Sequence, residues 1–336
     1  MRRRTLLLAA ASAAGAAGAG SLAACTTGTA ARTTPAAGVT ASPVPILGST
    51  TSSTLGPQPI TAPYSPVPGT APARAYALGT RTFGFSRDGR PLPTTVWYPA
   101  PGTAPATPAP VDGATPMAGR FPLVLFSHGL TSRPADYAAM LMRWAQAGFV
   151  VAGPTYPNTS FTADQAGRLD SDDIVNQPAD ASHVIDLMLA QAGTVTATID
   201  AGRIAAGGHS AGGITTAGLF SAHRDERLKA GLIFAGTDFR ATPFAGPAAA
   251  MLFVHGRDDG TVTWRAGHTV FQAVPWSRAM LSITEGGHVT ESADFEATTQ
   301  TSTEFLRYAL YGDAAAKARL PGAAAAGDVA TFENEL

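Results

Sequence analysis

Ser210 stands in Gly207-Gly208-His209-Ser210-Ala211-Gly212-Gly213, a serine flanked at a distance of one residue on each side by glycine. Upstream, Arg203-Ile204-Ala205-Ala206 follows a turn-like Asp200-Ala201-Gly202 and reads as a buried strand; downstream, Ile214 to Phe220 can begin a helix. A serine at such a junction suits a nucleophile. The turn forces strained backbone, and a β-carbon at either flanking glycine would strike the strand or helix beside it. The bend lifts the hydroxyl clear of the sheet and sets the Ala211 N–H at a helix N-terminus, where developing negative charge is favoured. Such a serine attacks carbonyl carbon, and it needs a base to take its proton and an acid to hold that base. With 36 glycines in 336 residues the pattern also arises by chance, so partners downstream must decide.

His223, His255, His268 and His288 follow the serine. His223 lies in the charged run Ala222-His223-Arg224-Asp225-Glu226 and reads as solvated, His255 holds a strand end before Gly256, and His268 falls in a helix. His288 follows the last apolar strand in Glu285-Gly286-Gly287-His288, on a loop whose glycines let it reach over the serine; it is the candidate base. For the acid, Val254-His255-Gly256-Arg257-Asp258-Asp259 places adjacent carboxylates beyond a strand. Neighbouring side chains point different ways, so only one of the pair is expected to reach His288. Asp259 is preferred for its place after the glycine, Asp258 is the alternative and Asp238 a weaker third, and each is also an ordinary turn former. A second oxyanion donor beside Ala211 is expected at Leu130, because Ser127-His128-Gly129-Leu130 follows a strand and Gly129 lets the backbone aim that N–H. His128 and His209 read as structural, holding loops by packing and hydrogen bonds.

The elements that must position these groups are legible by period. Thr80 to Phe85, a turn at Arg87-Asp88-Gly89-Arg90 and Leu92 to Tyr98 predict an antiparallel hairpin. Phe121 to Phe126 is a continuous apolar run, the mark of a strand covered on both faces. Tyr137, Met140, Leu141 and Trp144 recur at helical spacing, and Val184, Ile185, Met188 and Leu189 do so after Pro178. Further strands are expected at 149–152, 231–235, 250–254 and 279–283, and a last helix carries Phe305, Tyr308 and Ala309 before Gly312. Alternating strands and helices predict an α/β fold, a mostly parallel doubly wound sheet with helices on both faces. Ligands of such sheets bind beyond the strands' C-terminal ends, where Gly129, Ser210, Asp259 and His288 all fall. Residues 99–119 and 155–173 read as loops. Only Gly236 to Pro247 separates two later strands, so an open cleft with no large lid is expected, with Tyr156, Phe161, Phe239, Phe244 and Trp264 on rim loops.

Lys and Arg total 23 against 24 Asp and Glu, a net charge of −1 that argues against a nucleic-acid partner. Met1-Arg2-Arg3-Arg4 followed by an uncharged Leu/Ala/Gly/Ser run reads as an export signal over 1–24. Leu22-Ala23-Ala24-Cys25 resembles a bacterial lipobox, which implies lipidation of Cys25 and anchorage on the outer face of the cytoplasmic membrane. As the one cysteine of the chain, Cys25 leaves no intramolecular disulfide. Residues 25–75, rich in Thr, Pro and Ala, predict a disordered stalk spanning on the order of 40 Å. The folded domain is expected over 76–312 and an Ala-rich, frayed tail over 313–336. No metal or organic cofactor is implied, and a monomer is expected.

Residues 76–312 resemble the α/β-hydrolases, in particular bacterial dienelactone-hydrolase-like and platelet-activating-factor-acetylhydrolase-like members, with cutinase-type polyesterases as cousins. The resemblance is carried by Trp97-Tyr98-Pro99, Phe126-Ser127-His128-Gly129-Leu130, Asn176-Gln177-Pro178-Ala179-Asp180, Gly208-His209-Ser210-Ala211-Gly212-Gly213, His255-Gly256-Arg257-Asp258-Asp259 and Gly287-His288. It implies the chain order Ser, Asp, His with Ser210, Asp259 and His288 as triad, Leu130 and Ala211 as oxyanion donors, and carboxylic esters as substrates. A serine stands where true dienelactone hydrolases carry a cysteine, and the C-terminal disulfide common in the polyesterases cannot form. Rival readings are an acyltransferase or perhydrolase with the same triad, or a catalytically silent surface-binding lipoprotein.

Overall fold

Residues 55–336, apart from 192, 291 and 292, are described by a computed structural model. Cys25, the export signal and the stalk up to residue 54 lie outside the described residues. The long antiparallel strands β1 (Tyr76–Arg87) and β2 (Arg90–Thr103) meet at Asp88-Gly89, whose positive φ values of 49° and 77° suit a tight hairpin. Short β3 (Pro110–Asp112) lies beside β1. The chain then alternates: β4 (Phe121–Ser127), α1 (Ala138–Gln146), β5 (Val150–Pro154), the short α2 (Phe161–Gln165), α3 (Gln177–Ala190), β6 (Ile199–His209), α4 (Ala211–Leu219), β7 (Leu228–Phe234), β8 (Ala250–Gly256), α5 (Trp264–Gln272), β9 (Arg278–Ile283), α6 (Phe295–Tyr311), α7 (Ala314–Ala324) and β10 (Ala330–Glu335).

The strands form a ten-stranded sheet in the order β10-β9-β8-β7-β6-β4-β5-β2-β1-β3. Strands β5, β4, β6, β7, β8 and β9 are mutually parallel, with antiparallel β2 against β5 and antiparallel β10 against β9. This is the α/β-hydrolase fold. From β4 the chain goes to β5 on one side and, through α3, returns to β6 on the other. The loops leaving β4 and β6 therefore diverge and open a crevice at the strands' C-terminal ends.

Every residue of β4, β5, β8 and β9 is buried, because helices cover both faces. Leu123 and Leu125 join a core with Val184, Ile185 and Met188 of α3 and Val270 and Phe271 of α5. Val124 and Phe126 point the other way into a core with Leu141 and Trp144 of α1, Phe305 and Leu306 of α6 and Leu320 of α7. The hairpin is tied to α3 by charge. Arg90 places its guanidinium 2.7 Å from both Asp173 and Asp180, and Arg87 reaches the fully buried Asp180 at 2.7 Å.

The ends of the chain depart from expectation. The predicted frayed tail over 313–336 is instead folded: Asp313 caps α7 by accepting from the Ala315 and Ala316 N–H groups, and β10 completes the sheet edge beside β9, with Arg278 and Glu335 paired at 2.8 Å. Part of the predicted stalk is folded too. Within 55–75, the Gln58 N–H donates to Gln272 O, Thr61 N–H to Pro275 O and the Tyr64 hydroxyl to Ala309 O, while Ala71 is buried. Prolines and threonines without a period form no regular element here, yet the N–H groups of Gln58, Thr61 and Ala62 find acceptors on the domain. Residues 99–119 are also more regular than expected, since β2 runs on to Thr103 and β3 follows.

Leu320 separates a folded tail from a frayed one. Its side chain is fully buried, so Leu320→Ala should cost about 3 kcal/mol in urea unfolding, whereas an unchanged midpoint would mean that α7 does not pack.

Candidate active site

Ser210 joins β6 to α4 with φ 55° and ψ −117°, a conformation that costs free energy for any residue with a β-carbon. The surrounding glycines make it possible. A β-carbon on Gly208 would overlap the Gly212 backbone, and one on Gly212 would overlap the Ser127 carbonyl at the end of β4. The Ser210 N–H donates to Phe234 O of β7 at 2.9 Å, so strands on both sides of β6 hold the turn.

The loops after β8 and β9 bring two further side chains to this turn. His288 Nε2 lies 2.9 Å from Ser210 Oγ, and His288 Nδ1 lies 2.8 Å from Asp259 Oδ2. Gly256 permits this approach: a β-carbon there would collide with the Gly286 and Gly287 carbonyl oxygens. Asp259 is buried, its Oδ1 accepting from the Thr261 N–H at 2.8 Å and the Val262 N–H at 2.9 Å. Backbone donors thus occupy one oxygen and leave the other for His288. Burial alone would raise the Asp259 pKa, but hydrogen bonds from His255, His288 and the Val262 N–H outweigh it and hold the carboxyl well below the usual range. His255 lies with Nε2 2.7 Å from Val262 O and 3.3 Å from Asp259 Oδ2. A contact between that histidine and the carboxylate was not visible in sequence.

The other candidates fall elsewhere. Asp258 is exposed, and its N–H donates to Gly286 O. Asp238 accepts from the Ala241 N–H as a turn former. His223 is exposed against Phe239, and His268 faces Glu333 of β10 at 3.1 Å.

The Leu130 N–H is oriented through the peptide that carries it. His128 Nδ1–H donates to Gly129 O at 2.8 Å, and the Ser132 N–H to the same oxygen at 3.1 Å. In a trans peptide the N–H points opposite the carbonyl, so Leu130 N–H faces away from these donors. The His128 tautomer is fixed in turn, because its Nε2 must accept from the Tyr156 N–H at 3.0 Å. Ala211 occupies the first position of α4, where a helical N–H has no partner within its own helix. Buried His209 sits with Nε2 2.6 Å from the His288 carbonyl oxygen and Nδ1 2.9 Å from the Tyr137 hydroxyl. Burial pushes the pKa of His128 and of His209 down to about 4, the charge of His288 adding to the effect at His209.

The rim aromatics need correction. Tyr156, Phe239 and Phe244 are buried packing residues, and the Tyr156 hydroxyl is 2.8 Å from Ser127 Oγ. Trp264 stacks on His268 and bonds Ser282 Oγ. Phe161 is exposed at 38%, beneath the Arg133 guanidinium. Among the described residues no cluster of three or more His, Cys, Asp or Glu side chains is placed to hold a metal ion.

A family model described as Chlorophyllase matches residues 93–238. It is an esterase family of the α/β-hydrolase type. The matched stretch contains Leu130, Ser210 and Ala211 and stops short of Asp259 and His288. No curated protein matches the chain.

The two buried neutral histidines make stability depend on acid. The folded pKa of about 4 for His128 and His209 lies below the ordinary 6.5, so below that value the unfolded chain takes up protons that the folded chain refuses. Unfolding free energy should therefore fall from about pH 6.5 to about pH 4, each histidine adding a slope approaching 1.4 kcal/mol per pH unit. Urea titrations across that window check this, and His128→Asn should flatten the slope.

Proposed function

We propose that this protein is a serine hydrolase that cleaves carboxylic esters through a covalent acyl-enzyme. The observation that carries the reading is the unbroken line from Ser210 Oγ to His288 at 2.9 Å and from His288 to Asp259 at 2.8 Å. In the first step Ser210 Oγ attacks the ester carbonyl carbon while its proton passes to His288 Nε2. Asp259 stays ionised, accepts the His288 Nδ1–H and stabilises the imidazolium that forms. Negative charge collects on the former carbonyl oxygen, where the N–H groups of Leu130 and Ala211 receive it. His288 then gives its proton to the departing alkoxide, leaving the acyl group on Ser210. Water, deprotonated by the same imidazole, attacks that acyl carbon, and the proton returns to Ser210 as the acid leaves.

The match to an esterase family favours esters over amides. Resemblance to acetylhydrolase-like and polyesterase-like proteins points to small or medium acyl groups, carried on lipids or polyesters. The connection from β7 to β8, residues 235–249, contains no helix or strand and is too short for a large lid, in keeping with an open cleft. We further propose that Cys25 is lipidated and holds the hydrolase at the outer face of the membrane. Among the described residues no helix is long and apolar enough to cross a membrane.

Ser210→Ala should lower p-nitrophenyl butyrate turnover by about 10⁴-fold or more while leaving the thermal midpoint in place, and Asp259→Asn should cost about 10³–10⁴-fold. Ester turnover retained by Ser210→Ala would sink the assignment, and acyl transfer to added alcohol in preference to water would favour the acyltransferase rival.

A further inference from the structure

Tyr137 does not enter the chemistry proposed above, yet it sits at the crossing of the two loops that do. The Gly129 N–H lies 3.1 Å from its hydroxyl oxygen, that oxygen lies 2.9 Å from His209 Nδ1, and His209 Nε2 lies 2.6 Å from the carbonyl oxygen of His288. The direction of this chain of bonds follows from its far end. A carbonyl oxygen can only accept, so His209 carries its hydrogen at Nε2 and donates it to His288. A neutral imidazole protonated at Nε2 accepts at Nδ1, so the Tyr137 hydroxyl hydrogen goes there. The Tyr137 oxygen in turn accepts from the Gly129 N–H and is also hydrogen-bonded to Ser132.

Packing leaves little freedom for a different arrangement. The Tyr137 ring lies 4.9 Å from Phe126 and 5.6 Å from His209, and the His209 ring lies 4.9 Å from His288, centroid to centroid. The anchor is needed where it falls. Gly286 and Gly287 precede His288; the Gly286 carbonyl accepts from the Asp258 N–H while the side of Gly287 faces open space, and the bond from His209 holds the backbone of His288 itself. Deprived of the Tyr137 hydrogen, Nδ1 has no donor and the His288 carbonyl alone favours the Nε2–H tautomer; in the opposite tautomer a lone pair would face that oxygen.

We infer that Tyr137 is a positioning residue, which reinforces the Nε2–H tautomer of His209 and through it anchors the His288 backbone while bracing the Gly129 turn that carries the Leu130 N–H. The inference rests on His288 being the base of the proposed hydrolase. It joins the oxyanion loop after β4 to the base loop after β9 through one hydroxyl group.

The test is a double-mutant cycle read alongside histidine tautomers. In protein labelled with ¹⁵N-histidine, two-bond ¹H–¹⁵N spectra should show His209 protonated at Nε2, and Tyr137→Phe should mix that tautomer with the other. With p-nitrophenyl acetate, Tyr137→Phe should lower kcat about tenfold or more and leave KM within about twofold, since misplacement of a base by a fraction of an ångström acts on the chemical step. His209→Gln offers an amide donor at the Nε2 position whose hydrogens do not depend on Tyr137. It should keep more activity than His209→Leu, and in its background the Tyr137→Phe loss should shrink to about threefold or less. Equal losses in both backgrounds, a loss confined to KM, or His209 protonated at Nδ1 in the unmutated protein would overturn the inference. Should Tyr137→Phe fail to fold, the comparison of His209→Gln with His209→Leu decides, because equal loss in those two would also overturn it. An unmutated protein with the Nε2–H tautomer and no ester turnover would instead condemn the hydrolase reading, and with it the role assigned to Tyr137.

Discussion

A serine held with its backbone at φ 55° and ψ −117° is the constraint on which the rest of this structure depends. Such a conformation persists only where its surroundings over-determine it. Here the means are visible on every side. Gly208 and Gly212 lie too close for either to carry a side chain, Gly212 presses on the end of β4, and the Ser210 N–H is taken by β7. The parallel strands β4, β6 and β7 thus act as a frame that fixes the turn, and both sheet faces must be buried for that frame to be rigid. Two hydrophobic cores and a ten-stranded sheet serve a few ångströms at the C-terminal edge.

Around the turn, polar groups are ordered by donors that have no choice. The Thr261 and Val262 N–H groups claim one oxygen of Asp259 and leave the other to His288. The Tyr156 N–H makes His128 Nε2 an acceptor, which puts the hydrogen on Nδ1 and fixes the peptide preceding Leu130. The His288 carbonyl plays the converse part toward His209 and Tyr137: as an acceptor it puts the hydrogen on Nε2 and turns the Tyr137 hydroxyl hydrogen to Nδ1. Imidazoles and hydroxyls can each face either way, and backbone N–H and C=O groups remove the ambiguity. The cost is that His128 and His209 must stay uncharged in the interior, so a preorganised site and sensitivity to acid have the same origin.

The sequence made the central sheet readable because buried strands are runs of apolar residues and each helix repeats its apolar positions. It also placed Ser210, Asp259 and His288 beyond strand ends, though it preferred Asp259 to Asp258 only by its place after the glycine. Depth decides between them: Asp259 is buried and bonded, Asp258 exposed. Tyr137 reads as one more core residue of a helix face, since only its terminal oxygen distinguishes it. The folded tail was hidden by composition. Alanines such as Ala316 and Ala324 bury little area each and give no strong period, so Leu320 alone marks the apolar side of α7. β10 is an edge strand with glutamates at 333 and 335, and residues 55–75 dock by scattered backbone hydrogen bonds, the Tyr64 hydroxyl and buried Ala71, which form no periodic pattern.

The central claim is that Ser210 is the nucleophile, activated by His288. It is tested most directly by treating the intact protein with a fluorophosphonate and locating the adduct by peptide mass spectrometry. The account predicts a single phosphonylated residue, Ser210, and slow or absent labelling when His288 is replaced by alanine. An adduct on another residue, or unchanged labelling of Ser210 without His288, would contradict it.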